Sequence, residues 1–171
     1  MSVLTRLMSA VLMSFALAST VVPTSAYAAD KAADFTLRDI NGKEVHLSDY
    51  AGKVVILSFW ATWCGPCKEE MPHLQKMYEA KADAGLVVLS VSTDDARSAS
   101  KVKPYIMSMK YTFPVLLDRE ATLIGGYNPS KTLPFTVIID RAGNVSRVAS
   151  GYNPGDEVTL AKEIDALLAA K

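Results

Sequence analysis

Cys64 and Cys67 are the only cysteines in the 171-residue chain, and Gly65 and Pro66 separate them. The pair follows directly on an apolar, strand-like run, Val54 to Trp60, and opens an amphipathic segment, Lys68 to Lys81. Where a strand hands over to a helix, this spacing aims one thiol at solvent beside the unpaired backbone N–H groups of the helix. Those groups and the helix dipole favour an anion there. An ordinary thiol with a pKa near 8.5 is only about 3% ionised at pH 7, whereas one lowered to about 7 is half ionised. The chemistry to expect is therefore that of a reactive sulfur. A purely structural disulfide over so short a loop would add only roughly 2 kcal/mol by chain entropy. Structural zinc takes four ligands, and beyond the cysteines the chain offers only His46 and His73 as soft donors; no metal site is expected.

The first 28 residues read as a secretory signal. Arg6 is their only charge, Leu7 to Val22 is mostly apolar, Pro23 breaks the run, and Ala26-Tyr27-Ala28 fits the small-x-small rule for cleavage. Cleavage is expected between Ala28 and Ala29. The 16-residue apolar run carries Ser9, Ser14, Ser19 and Thr20, short of the about 20 apolar residues of a comfortable membrane span. An uncleaved N-terminal anchor is the alternative. Residues 29–171 then form one domain, large enough to bury a core without disulfide staples. Without Arg6 the balance is 17 basic against 18 acidic side chains, which leaves no electrostatic footprint for nucleic acid. Export also changes what the cysteines mean. In an oxidising compartment an unprotected pair becomes a disulfide by default, so a working pair there either donates oxidation or is kept reduced by a dedicated electron supply.

Phe35-Thr36-Leu37 and Val45-His46-Leu47 alternate in the manner of strands around the Asn41-Gly42 turn signal, which predicts an N-terminal hairpin. Ser48 and Asp49 suit a short helical turn. Val54 to Trp60 is apolar on both faces, as a covered central strand should be. In the next segment Met71, Leu74, Met77 and Tyr78 form a buried helical stripe interrupted by Pro72. Leu86 to Val91 is a second buried strand. Asp94 and Asp95 are expected to cap a helix running through Val102 and Ile106 to about Met109, bent at Pro104. A short strand at Val115 to Leu117, a helical turn near Glu120 to Ile124, strands at Phe135 to Ile139 and Val145 to Val148, and a helix at about Glu157 to Ala169 follow. This alternation predicts an α/β fold with one sheet packed on both faces. Gly126-Tyr127-Asn128-Pro129 recurs as Gly151-Tyr152-Asn153-Pro154; four residues are too few for a structural repeat, and two similar turns are expected rather than one shared binding surface.

At Phe59-Trp60-Ala61-Thr62-Trp63-Cys64-Gly65-Pro66-Cys67-Lys68 the chain strongly resembles the thioredoxin superfamily. Phe35-Thr36-Leu37, Asn41-Gly42-Lys43 and the segment inserted between Val91 and Leu133 resemble its exported TlpA/ResA-like branch, which is related to the AhpC/TSA-Redoxin proteins. The resemblance covers about residues 33 to 170. It implies a central mixed sheet with helices on both faces, an N-terminal β-hairpin and a central βα insertion. By the same resemblance Cys64 matches the attacking cysteine, Cys67 the resolving one and Trp63 the flanking aromatic residue. Gly65 and Pro66 match the spacer of reducing members, and Pro134 matches a cis-proline against the redox pair. Leu133 would offer its backbone to an extended substrate, and Glu70 matches an acidic residue close to the cysteines. What the resemblance implies in function is a monomeric protein-disulfide reductase without metal or organic cofactor. Its partners would be exported protein disulfides or dithiols, as in apocytochrome c maturation, and a membrane electron donor.

One position departs from many superfamily members. Where they carry a buried aspartate six residues before the first cysteine, this chain has Ser58, which cannot accept a proton near neutral pH. Glu70 is the candidate for deprotonating Cys67, with a bound water as the alternative. Two rival activities remain. A peroxiredoxin-like peroxidase would resemble Pro-x-x-x-Thr-x-x-Cys, but Ala61 and Cys64 stand where the threonine would be. A copper-binding chaperone of the same fold would have Cys-x-x-x-Cys and a distant histidine. This chain has one residue fewer in the spacing and no histidine after His73, although two thiolates alone suit a cuprous ion.

Overall fold

The computed structural model describes residues 30–170. The expected signal segment and its cleavage point lie outside the described residues. Seven strands form one mixed sheet: β1 (Thr36–Asp39), β2 (Glu44–His46), β3 (Val54–Trp60), β4 (Leu86–Ser92), β5 (Val115–Leu117), β6 (Phe135–Ile139) and β7 (Val145–Ser150). Their order across the sheet is β2-β1-β5-β4-β3-β6-β7. The three inner strands β3, β4 and β5 run parallel, and the hairpins β1–β2 and β6–β7 add to either side antiparallel. Parallel neighbours need crossovers, and these are supplied by helices α1 (Gly65–Lys81) and α2 (Val102–Met109), while α3 (Thr122–Tyr127) leads from β5 across to the antiparallel β6. Helix α4 (Asp156–Ala169) closes the chain.

Every residue of β3 is buried, because the strand is flanked on both edges and covered on both faces. Alternation sorts its side chains. Val54, Ile56 and Trp60 pack with Met71 and Leu74 of α1, Ile106 of α2 and Ile164 of α4, while Val55, Leu57 and Phe59 pack with Ile124 of α3 and Phe135. Phe59 and Trp60 are both fully buried; burying a phenylalanine side chain is worth about 1.5–3 kcal/mol. The two core layers hold the C-terminal ends of β3 and β4 side by side, and the cysteine pair leaves from that edge.

The short turn after the hairpin is a 3-10 helix at Leu47–Tyr50, closed by the Asp49 carboxylate accepting from the His46 N–H at 3.0 Å. Helix α1 starts at Gly65, three residues before the amphipathic segment expected from Lys68, since Pro66 is tolerated in a first turn whose N–H groups have no intrahelical partner. The expectation for Asp94 and Asp95 fails in an informative way. Asp95 closes a turn by accepting from the N–H of Arg97 and Ser98, and α2 begins only at Val102, with no side-chain cap. Asp94 points inward and is fully buried. Pro104 falls in the first turn of α2, where its missing N–H leaves no helical bond unmade. The helical turn expected near Glu120 to Ile124 is α3, and buried Asp118 accepts from the N–H of its Thr122, Leu123 and Ile124.

Candidate active site

The strand-to-helix corner places the sulfurs. Cys64 sits in extended conformation at the N-cap of α1, and its Sγ accepts from the Cys67 N–H at 3.2 Å. One otherwise unpaired N–H of the first turn thus points at the sulfur, as the spacing predicts. The two cysteines form a disulfide. Cys67 is fully buried and Cys64 keeps 5% of its surface, so in the bridged state the outer sulfur is far less exposed than a solvent-directed thiol. The exposed part of the corner is Trp63, at 69%, together with Gly65 and Pro66.

The loop before Cys64 is tied to the end of β4. Asp94 accepts from the Thr62 N–H at 2.8 Å, the Thr62 hydroxyl at 2.6 Å and the Ser92 hydroxyl at 2.9 Å. The Thr93 N–H donates to the Trp60 carbonyl at 2.8 Å. A buried carboxylate without partners would cost several kcal/mol; here three donors satisfy it and fix the turn that presents Trp63 and Cys64. From the sequence pattern Asp94 looks like a cap because it precedes a helix. The signal that could have found it is its position at the end of a strand parallel to β3, which puts it level with Thr62.

On the other side of α1 the Leu133–Pro134 bond is cis, as expected from the Thr132-Leu133-Pro134-Phe135 segment. The Pro134 carbonyl accepts from the Gly151 N–H at 2.8 Å, whereas the Leu133 N–H and C=O have no backbone partner among the described residues. Asn128, buried, steadies this loop by donating from its side chain to the Thr132 carbonyl at 3.1 Å.

Glu70 lies two helical positions beyond Lys68 and faces the sheet. It is 7% exposed, its Oε1 accepts from the Thr136 hydroxyl at 3.2 Å, and its Oε2 has no partner. Burial pushes its carboxyl up from 4.5 to about 7; the Thr136 bond opposes this and the charge of Asp156 adds to it. Ser58 on β3 lies in register with Thr136 on β6 and Ser90 on β4. The three hydroxyl residues form a polar strip across an otherwise apolar face. Glu70 also lines a cavity of about 270 Å³ between α1, β7 and α4, with His73, Tyr152 and Glu157 among its walls. Tyr152 donates to Glu157 at 2.9 Å and lies 6.1 Å from the His73 ring. Tyr127, the counterpart of Tyr152 in the repeated tetrapeptide, instead packs on Phe59 across the sheet. The two turns therefore do not share a surface.

A sheet with parallel inner strands, a two-spaced disulfide at the head of the first crossover helix and a cis-proline loop beside it define the class: a thioredoxin-fold thiol–disulfide oxidoreductase. Comparison with known proteins agrees. Residues 28–148 match the AhpC/TSA family. The chain is 35% identical over 127 residues to the thiol-disulfide oxidoreductase ResA of Geobacillus kaustophilus (74% of this chain, 71% of the relative). It is 38% identical over 120 residues to ResA of Bacillus subtilis (70% and 65%). Among solved structures it superposes with TM-score 0.76 and 33% identity on a Chlorobium tepidum protein provisionally identified as thiol:disulfide interchange protein DsbE. That match covers 82% of this chain and 97% of the other. The chain belongs to the AhpC/TSA family, within its TlpA/ResA-like thioredoxin branch.

Proposed function

We propose that this thiol–disulfide oxidoreductase works as a reductant of disulfides in exported proteins, with Cys64-Gly65-Pro66-Cys67 as its redox pair. The Cys64 thiolate attacks a substrate disulfide, one substrate thiolate leaves and a mixed disulfide forms. Cys67 then loses its proton, attacks the Cys64 sulfur and releases the second substrate thiolate. Two electrons pass from the dithiol to the substrate, and the Cys64–Cys67 disulfide remains. Trp63, Gly65 and Pro66 form the surface that meets the substrate, and the free N–H and C=O of Leu133, ahead of Pro134, pair with its extended backbone.

Glu70 takes the proton of Cys67. The observation that carries the proposal is the pairing of a nearly dry carboxylate, poised near neutrality, with a disulfide at one helix N-terminus. A carboxyl at about 7 is ionised in half the molecules at pH 7, so it can both accept and return a proton in each cycle. The steps call for no metal or organic cofactor. Electrons would come from a membrane donor, and the protein would act as a monomer in the periplasm or another exported location. It would be freed by cleavage after Ala28 or held by the uncleaved segment. Apocytochrome c, whose haem attachment needs free thiols, is the kind of client this reading favours. The test is reduction of insulin by the purified protein with a chemical electron donor. Turnover that disappears in Cys64→Ser supports the reading; full-speed reduction by Cys64→Ser overturns it.

A further inference from the structure

The first two turns of α1 send opposite charges to opposite sides of the disulfide. Lys68 and Glu70 are two residues apart, about 200° around a helix of 3.6 residues per turn, and the contacts agree. The Lys68 ammonium lies 5.3 Å from the Tyr105 ring of α2, whereas Glu70 meets Thr136 of β6. Each side keeps that sign on balance, although Arg147, paired with Glu163 at 2.9 Å, and His73 also line the Glu70 side. Beyond Glu70 come Asp156 and Glu157, and the field of Glu69 and Glu70 reaches Tyr152 on that side. Beyond Lys68 a depression of about 390 Å³ opens next to the exposed Trp63, bounded by Asp95, Arg97 and Lys101. Arg97 pairs with Asp95 at 3.0 Å, which consumes the one acid of this rim. Lys68 and Lys101 have no carboxylate partner among the described residues.

We propose that the Trp63–Lys101 depression is a docking surface for an acidic segment flanking the substrate's disulfide. This rests on the exchange reading above. A chain laid over Cys64 with acidic residues toward α2 meets Lys68 and Lys101, and Trp63 supplies a flat apolar contact. Laid the other way round, the same residues meet Glu69, Asp156 and Glu157. The polarity thus selects both the client and its direction. Opposite charges near a surface interact modestly and are screened within about 8–10 Å at ordinary salt, and complementarity acts mainly on encounter rate. The effect should therefore be a bias in the second-order rate constant rather than an all-or-none choice.

The test uses three disulfide-bonded peptides of one length, with two glutamates, two glutamines or two lysines beside the same cystine, and the reduced full-length protein in single turnover. The expected order is acidic, neutral, basic, with about a tenfold spread between the extremes at low salt that shrinks toward unity at high ionic strength. In a Lys101→Glu, Arg97→Gln protein the acidic-to-basic ratio should fall to one or invert. Taking the ratio within each protein cancels any change in thiol reactivity. Equal rates for all three peptides, or a ratio unmoved by salt and by the charge reversal, overturn the docking surface alone. Failure to reduce any of the three overturns the exchange reading itself.

Discussion

Replacing Glu70 by glutamine should make the protein more stable above neutral pH. The carboxyl is 7% exposed and one of its oxygens has no partner, so its charged form is paid for by folding while an amide of the same shape is not. Raising a carboxyl from 4.5 to about 7 corresponds to about 3 kcal/mol between the two protonation states. The sign follows from linkage. The folded state holds the proton more tightly than the unfolded chain, so this stability is fully present below about 4.5 and is lost as pH rises through about 7. Urea unfolding of the oxidised protein, followed by tryptophan fluorescence from pH 4.5 to 8, measures it. The Glu70→Gln minus wild-type difference should grow by about 3 kcal/mol across that range, with most of the change complete by pH 7. Groups remote from Glu70 contribute equally to both proteins and cancel in the difference. Parallel stability curves would refute the claim that Glu70 is dry and poised near neutrality.

Three further outcomes follow from the same geometry. Thr136→Val removes the bond that holds the Glu70 carboxyl down, so the midpoint of the pH-dependent stability loss should move upward. Asp94→Ala strips Thr62 and Ser92 of their acceptor and should cost about 2–4 kcal/mol in urea unfolding, as buried donors left unpaired cost about 1–3 kcal/mol each; a change under about 0.5 kcal/mol would refute the clamp. Equilibration of the protein with glutathione buffers should place its potential near that of glutathione or below, and a value near that of the strong oxidants, about −120 mV, would reverse the proposed direction.

The fold was legible where one rule decides each element. β3 shows as an unbroken apolar run, and the hairpin is announced by Asn41-Gly42 between alternating segments. The disulfide and the cis-proline could be placed from their neighbours because the motif ties them to a strand end. What escaped depends on pairing between distant strands. Asp94 looks like any acid ahead of a helix until β4 is laid parallel to β3 and its carboxylate comes level with Thr62. The burial of Glu70 was likewise hidden, since an acid early in a helix is ordinary and only Thr136, sixty-six residues on, shows that it faces the sheet. The two Gly-Tyr-Asn-Pro turns share a sequence but not their surroundings, so Tyr127 packs half-buried against the core while Tyr152 forms part of a cavity wall. Local sequence sets turn geometry, whereas the sheet decides what each turn touches.

The most direct test of the exchange chemistry is to trap its intermediate. A Cys67→Ser protein mixed with a disulfide-bonded peptide should accumulate a covalent adduct through Cys64, seen by mass spectrometry as protein plus half-cystine peptide and released by dithiothreitol. Cys64→Ser should form none at the same rate. A faster adduct on Cys67 in the Cys64→Ser protein than on Cys64 in the Cys67→Ser protein, or no adduct with either variant, would contradict the account.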